Sequence, residues 1–211
     1  MQETIQARFA RLTTLHVGIL VFPDVEVLDF AGPFEVFSVT SRIAGKVIGV
    51  DTPFAVSLVG ASGAPVQARH GMGVVPHFGF HNAPALDLLI VPGGIVEQPL
   101  ADPATLAWIA RQHDGAALTA SVCTGAFLLA KLGLLDGLAA TTHWADIAGL
   151  RASHPAVEVR ENTQYVDQGR IVSAAGISAG IGMSLHLVAR ILGENMAVAT
   201  ARRMEYDWAP L

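Results

Sequence analysis

The chain has 211 residues, a formal net charge of −5, and 52% hydrophobic against only 15% charged residues. That balance excludes a disordered chain and supplies enough apolar side chains for a large buried core. No Lys/Arg cluster interrupts the sequence, which argues against nucleic acid as a partner, and no window approaches the ~18 apolar residues of a membrane span.

The opening, MQETIQARFARLTTLHVGILVF, has no small-residue cleavage site after an apolar stretch and so does not read as a secretory signal. Residues 1–15 are a lead-in, with Ile5, Phe9 and Leu12 on one face of a short helix over residues 2–15. Residues 16–22 (HVGILVF) are predicted to be a strand buried on both faces, broken by Pro23-Asp24 and followed by an apolar-periodic helix over residues 27–43. A second strand is predicted at 54–60, then a glycine- and proline-punctuated excursion from Gly63 to Gly73. Residues 86–91 form a third strand ending at Pro92-Gly93-Gly94, and Asp102-Pro103 signposts a helix. Residues 117–122 form the fourth strand, with a helix over 124–132 stopped by Gly133. A fifth strand is predicted at 139–142 and a helix at 144–152. Small strands follow at 157–159, 165–167 and 171–174, the last two joined around Gln168-Gly169. Helices at 179–192 and 195–206 close the chain. This alternation predicts an α/β fold with an open, mostly parallel sheet flanked by helices on both faces, and residues 16–211 are expected to be a single domain.

Cys123 is the only cysteine, so no internal disulfide can form, and a reducing, cytoplasmic setting is expected. It stands between the fourth strand and the helix after it, in ALTASVCTGAF, with small residues on both sides. A nucleophile elbow looks like this: the strained turn lifts the side chain clear of the sheet. The helix N-terminus is expected to depress the thiol pKa, and the Thr124 backbone N–H to face developing negative charge. The competing assignment is a buried, inert core cysteine. Ligands of open parallel sheets bind beyond the carboxyl ends of the strands. There the sequence also places Asp24, Glu26 and Asp29 after the first strand, Gly93-Gly94 after the third and His143 after the fifth.

Together, FPDVEVLDFAGPFEVF, VPGG, SVCTGAFLLAKLGLLDG, ATTHW and SAAGISAG resemble the ThiJ/PfpI superfamily, whose fold is class-I-glutamine-amidotransferase-like and flavodoxin-like. Within it the chain looks most like isonitrile hydratases and the ligand-sensing domains of AraC-type regulators; LDFAGP and the SVCTG elbow carry that likeness. The resemblance implies Cys123 as nucleophile, Asp29 as neighbouring acid, Thr124 after the nucleophile, and Gly94 and Thr124 as backbone N–H donors. His143 matches a histidine often found near the cysteine. It also implies a homodimer, a small-molecule substrate and no cofactor. On this pattern Cys123 would attack the terminal carbon of an isonitrile, Asp29 would protonate that carbon, and water would release an N-substituted formamide. Leu28 and Phe30 would bury Asp29 enough to keep its proton near neutral pH. One departure stands out: Gly182, in AGIG, replaces an aspartate of the relatives.

Other signals are weaker. Gly176-Ile177-Ser178-Ala179-Gly180 matches G-x-S-x-G, but the only later histidine is His186, so tight helix packing explains it better. His70, His77 and His81 lack a metal-site pattern, and no metal is expected. Trp108 and Trp144 are expected to pack in the core, and His16, His113 and His154 to sit at the surface or at strand ends. Two rival functions remain. One is a ligand or redox sensor, against which stands the end of the sequence at EYDWAPL without a helix-turn-helix. The other is amidase, peptidase or glyoxalase chemistry of the same superfamily.

Overall fold

Short apolar runs flanked by helix caps and glycines form a layered α/β structure, described by a computed structural model for residues 3–12 and 14–209. In chain order its elements are α1 (Ile5–Leu12), β1 (Leu15–Leu20), α2 (Val27–Val47), β2 (Phe54–Gly60), β3 (Val66–Gln67), β4 (Gly73–Val74), β5 (Phe78–Gly79), β6 (Leu88–Val91), α3 (Glu97–Ala101) and α4 (Pro103–Gly115). There follow β7 (Leu118–Val122), α5 (Gly125–Lys131), β8 (Ala139–Ala140), α6 (Ile147–Ser153), β9 (Glu158–Val159), β10 (Tyr165–Asp167), β11 (Ile171–Ala174), α7 (Ala179–Leu192) and α8 (Glu194–Arg203). Seven strands make one sheet in the order β10-β11-β7-β6-β1-β2-β5, parallel except for β10.

The chain runs outward from β1 to β2, then returns to β6 on the other side and continues to β7. Right-handed crossovers in opposite directions put the intervening helices on opposite faces. The central strands β6 and β7 are buried along their whole length, as a parallel sheet covered on both sides requires. Asp102 caps α4 by accepting from the N–H groups of Ala104 and Thr105, with Pro103 in the first turn. β10 and β11 form a hairpin around Gly169.

Several sequence expectations need correction. The stretch at 139–142 yields only the two-residue β8, which pairs with β9 in a separate small sheet rather than joining the main one. Thr141 and Thr142 instead bond sideways to Ser173 and to the Cys123 carbonyl, so they brace the sheet rather than extend it. His113 is buried, with Nδ1 2.9 Å from Thr119 Oγ1. Trp108 is buried against Phe80, but Trp144 is 81% exposed. The glycine-rich excursion holds the β3–β4 ribbon, and β5 adds an edge strand that the sequence reading lacked.

The lead-in folds back onto its own chain. Ile5 is buried, and Arg8 reaches Asp87 and the Gly115 carbonyl. Gln2 and Thr13, part of the predicted lead-in helix, lie outside the described residues. Among the described residues no helix is long and apolar enough to cross a membrane.

Candidate active site

Four neighbouring parallel strands, β1, β6, β7 and β11, end side by side, and each sends one loop to the same point. Such convergence beyond the carboxyl ends of strands is where open sheets bind ligands. Cys123 follows β7 directly and has φ +56°, a left-handed conformation that costs a non-glycine residue energy. Its N–H donates to the carbonyls of Ala174 (3.2 Å) and Ala175 (3.1 Å), and its own carbonyl accepts from Thr142 Oγ1 at 2.8 Å. The strained turn is therefore held from both sides, with the side chain only 7% exposed.

Asp29 lies in the first turn of α2 and is completely buried. Its carboxylate does not cap its own helix; Oδ2 accepts from the Gly93 N–H at 3.0 Å. Oδ1 has no hydrogen-bond partner and remains an unpaired buried acceptor, with the Cys123 thiol as a neighbour that lowers the acid's pKa. Burial raises the Asp29 pKa from 3.8 to about 7, against the Gly93 bond that lowers it. Burial likewise pushes the Cys123 thiol up to about 12, with the Asp29 charge adding to the effect. The expected depression of the thiol pKa is thus reversed: α5 has only seven residues, and its dipole does not offset desolvation beside an acid.

Two backbone N–H groups meet the sulfur, those of Thr124 and Ile177. Ile177 went unrecognised as part of this site. It sits in the loop after β11 with φ +51°, a rare conformation for a β-branched residue. The signal was present, since G-x-S-x-G marked a strand-to-helix turn at this spot, but the motif pointed to Ser178. The N–H of Gly94 does not face the thiol; it donates to Thr124 Oγ1 at 2.9 Å, and that hydroxyl donates back to the Gly94 carbonyl at 3.0 Å. Gly94, at φ +130°, and Thr124 thus clasp the β6 and β7 loops together. Gly93 permits this approach, because a Cβ there would collide with Thr124 and stand 3.0 Å from Cys123 Cβ.

Above the thiol is a cavity of about 240 Å³ lined by Glu26, Arg69, Gly94, Cys123, Thr124, His143, Asp146 and Ile177, among others. Glu26 and Arg69 pair at 3.4 Å in its wall, whereas Asp24, the third acid after the first strand, does not line it. His143 reaches this cavity with Nδ1 3.4 Å from Asp146 Oδ2, and its ring edge packs on Gly176, where a Cβ would clash. No hydrogen bond joins His143 to Cys123 among the described residues. Gly182 is buried on α7 beside Gln164, whose Oε1 would lie 2.9 Å from a Cβ at that position. His77 accepts from the Leu58 N–H, and His186 is bound to Asp167 at 2.7 Å, away from the thiol.

A buried acid of near-neutral pKa against a protonated thiol, under a cavity rimmed by N–H groups, can move one proton while sulfur attacks a small electrophile. The family model described as DJ-1/PfpI matches residues 16–190. An isonitrile hydratase of Pseudomonas putida is 34% identical over 197 residues, covering 93% of this chain and 80% of the relative. The HTH-type transcriptional regulator GbdR of Pseudomonas aeruginosa is 27% identical over 191 residues, and the chain spans 50% of its length. A crystal structure of a ThiJ/PfpI family protein from Pseudomonas syringae superposes with TM-score 0.81 at 28% identity, over 93% of this chain and 77% of that one.

Proposed function

The chain belongs to the DJ-1/PfpI family, and from that premise we propose that it is a cysteine-dependent hydratase converting isonitriles to N-substituted formamides. The observation that carries this reading is the pairing of a protonated thiol with a completely buried carboxyl whose pKa is about 7. Likeness to the Pseudomonas putida hydratase over most of both chains supports it.

The isonitrile carbon is both an acceptor of nucleophiles and a site of protonation. As the Cys123 sulfur bonds to it, the thiol proton passes to the Asp29 carboxylate. Asp29 then delivers that proton to the same carbon. The sum is addition of S–H to one carbon, giving a thioimidate, R–N=CH–S–Cys123. Asp29, again a carboxylate, takes a proton from water as its oxygen attacks the thioimidate carbon. Asp29 passes that proton to the nitrogen, and the C–S bond breaks as the added hydroxyl becomes the formamide carbonyl and its proton returns to sulfur. The Thr124 and Ile177 N–H groups, already aimed at the sulfur, stabilise its negative charge in both steps. Gly93 holds Asp29 in place through Oδ2, and the Thr124–Gly94 clasp fixes the two loops.

A second reading is a ligand sensor without turnover, favoured by the similarity to regulators, of which the chain spans about half the length. Incubating the protein with an isonitrile, methylglyoxal and a peptide amide, each beside Cys123→Ser, separates these readings. Formamide produced from the isonitrile alone, and lost in the variant, supports the hydratase. Binding without turnover of any of the three supports the sensor.

A further inference from the structure

His143 and Trp144 are adjacent in sequence but line different cavities. His143 belongs to the cavity over Cys123, whereas Trp144 lines a second one of about 480 Å³, and among the described residues the two have no lining residue in common. The second cavity adjoins the framework of the elbow without reaching the thiol. Thr142, which donates to the Cys123 carbonyl, and Ala175, which accepts from the Cys123 N–H, belong to its lining. Trp144 and Ile147 join them from the segment leading into α6, and residues 161–164 from the turn before β10. Both segments are firmly held. The Ala145 N–H donates to His143 Nδ1 at 3.3 Å, and the Trp144 ring lies against the His143 ring with centroids 5.5 Å apart. In the turn, Thr163 Oγ1 donates to the Tyr165 carbonyl at 3.0 Å, and the Gln164 carbonyl accepts from the Ala175 N–H at 2.9 Å.

The backbone is spoken for, but the side chains are not. Trp144 is 81% exposed, although a tryptophan ring normally buries most of its large apolar surface. Among the described residues, the Trp144 indole N–H and the carboxamides of Asn162 and Gln164 make no hydrogen bond to the protein. Gly182 leaves the space in which the Gln164 amide lies. Thr141 is buried, yet its hydroxyl has only the Thr142 carbonyl, at 3.5 Å, the outer limit of a hydrogen bond. Glu161 is the one charged residue among the described residues of the lining, so anions are disfavoured there.

We propose that this cavity binds a neutral cyclic polyol, the ring of a free monosaccharide or of the terminal residue of a glycan. Such a ring offers a flat C–H face to the Trp144 indole. Around its edge it carries hydroxyls that both donate and accept, as do the carboxamides and threonine hydroxyls of the lining. A hexopyranose, with about twice as many non-hydrogen atoms as benzene, fits easily, since benzene occupies a cavity of ~150 Å³. The inference is independent of the hydratase reading.

The test is saturation-transfer NMR with D-glucose, myo-inositol, maltose, D-glucuronate and indole, a readout that needs neither turnover nor a tryptophan signal. The native protein is expected to transfer magnetisation to at least one of the three neutral polyols, and less to glucuronate. Maltose bound more tightly than glucose marks a glycan end, and glucose bound at least as tightly marks a free sugar. Trp144→Ala is expected to raise the Kd by about tenfold, as removal of a central aromatic contact does, and Trp144→Phe to restore part of the loss. Gln164→Ala raises the Kd by a smaller factor. Alkylation of Cys123 by iodoacetamide is unchanged in all three variants, which checks that the elbow is intact. No transfer to glucose, inositol or maltose overturns the proposal, as does transfer that survives undiminished in both Trp144→Ala and Gln164→Ala. Transfer to indole alone overturns it in favour of a plain aromatic stacking surface, and glucuronate bound as tightly as glucose overturns the selection for a neutral ligand.

Discussion

Cys123 and Asp29 are buried neighbours beneath the cavity, and their ionisations act on each other: an ionised Asp29 pushes the thiol up, and the neighbouring thiol draws the acid down. With Asp29 near 7 and Cys123 near 12, the pair holds two protons in acid and one across the neutral and mildly alkaline range. Whether that one proton sits on sulfur or oxygen at a given instant is kinetically equivalent.

The first consequence concerns pH. The reactive form of the pair carries one proton, so kcat/KM for an isonitrile rises as pH increases through about 7 and then stays level to at least pH 9. Asp29→Asn removes the rising limb together with most of the activity. A profile of initial rates between pH 5 and 9.5 reads both effects.

The second concerns the free thiol. With its pKa pushed to about 12, Cys123 is alkylated by iodoacetamide more slowly than an unhindered cysteine at pH 8, and the rate climbs with pH without levelling below pH 10. Asp29→Asn removes the negative charge that opposes the thiolate, so alkylation at pH 8 becomes faster in the variant than in the native protein. Mass spectrometry at timed intervals follows this directly. Slower alkylation in Asp29→Asn would mean that the acid promotes the thiolate.

Stability follows from the same burial. The folded-state pKa of Asp29 lies above its unfolded value, 3.8 against about 7, so the native state binds the extra proton. Stability linked to that proton is complete below pH 3.8 and is lost as pH rises to 7, by up to about 4 kcal/mol at ~1.4 kcal/mol per pH unit. Relative to the native protein, Asp29→Asn therefore gains stability from pH 4 to pH 7, and the difference stays constant above that. Urea unfolding at pH 4, 5.5, 7 and 8 measures it.

The Thr124 hydroxyl both accepts from Gly94 N–H and donates to the Gly94 carbonyl. Thr124→Val leaves both Gly94 groups unpaired beside the thiol and is expected to cost about 1–3 kcal/mol and to lower kcat by about tenfold. Thr124→Ser restores both bonds and most of each loss. Chemical denaturation and steady-state kinetics on the two variants separate a hydroxyl effect from a packing effect.

Much of this arrangement was legible in the sequence because it depends on local patterns. The apolar runs of β1, β6 and β7, the Asp102-Pro103 helix start and the small residues around Cys123 each report directly on backbone geometry. The alternation of strand and helix then carries Asp29 and Cys123 to the same end of the sheet. Features set by long-range contacts were not legible. The thiol pKa depends on how deeply Asp29 and Cys123 are buried together, which no local window contains. Ile177 enters through a backbone N–H, and backbone groups leave no residue-type signature. The stretch 139–142 is apolar enough for a strand, but Thr141 and Thr142 use their bonding groups to brace Ser173 and Cys123 instead. Trp144 is aromatic, yet its side chain lies at the rim of a large surface cavity rather than in the core.

The central claim is that Cys123 adds its S–H to an isonitrile with Asp29 carrying the proton. Its most direct test is intact-protein mass spectrometry of the native protein and of Asp29→Asn, each quenched with acid within seconds of mixing with excess cyclohexyl isonitrile. The account predicts a species heavier than the native protein by the mass of the intact isonitrile, mapped to Cys123 and strongly reduced in Asp29→Asn, and loss of formamide production by about 10³-fold or more in Cys123→Ala. Formamide formed by Cys123→Ala at the native rate, or an adduct that forms in Asp29→Asn as fast as in the native protein, would contradict it.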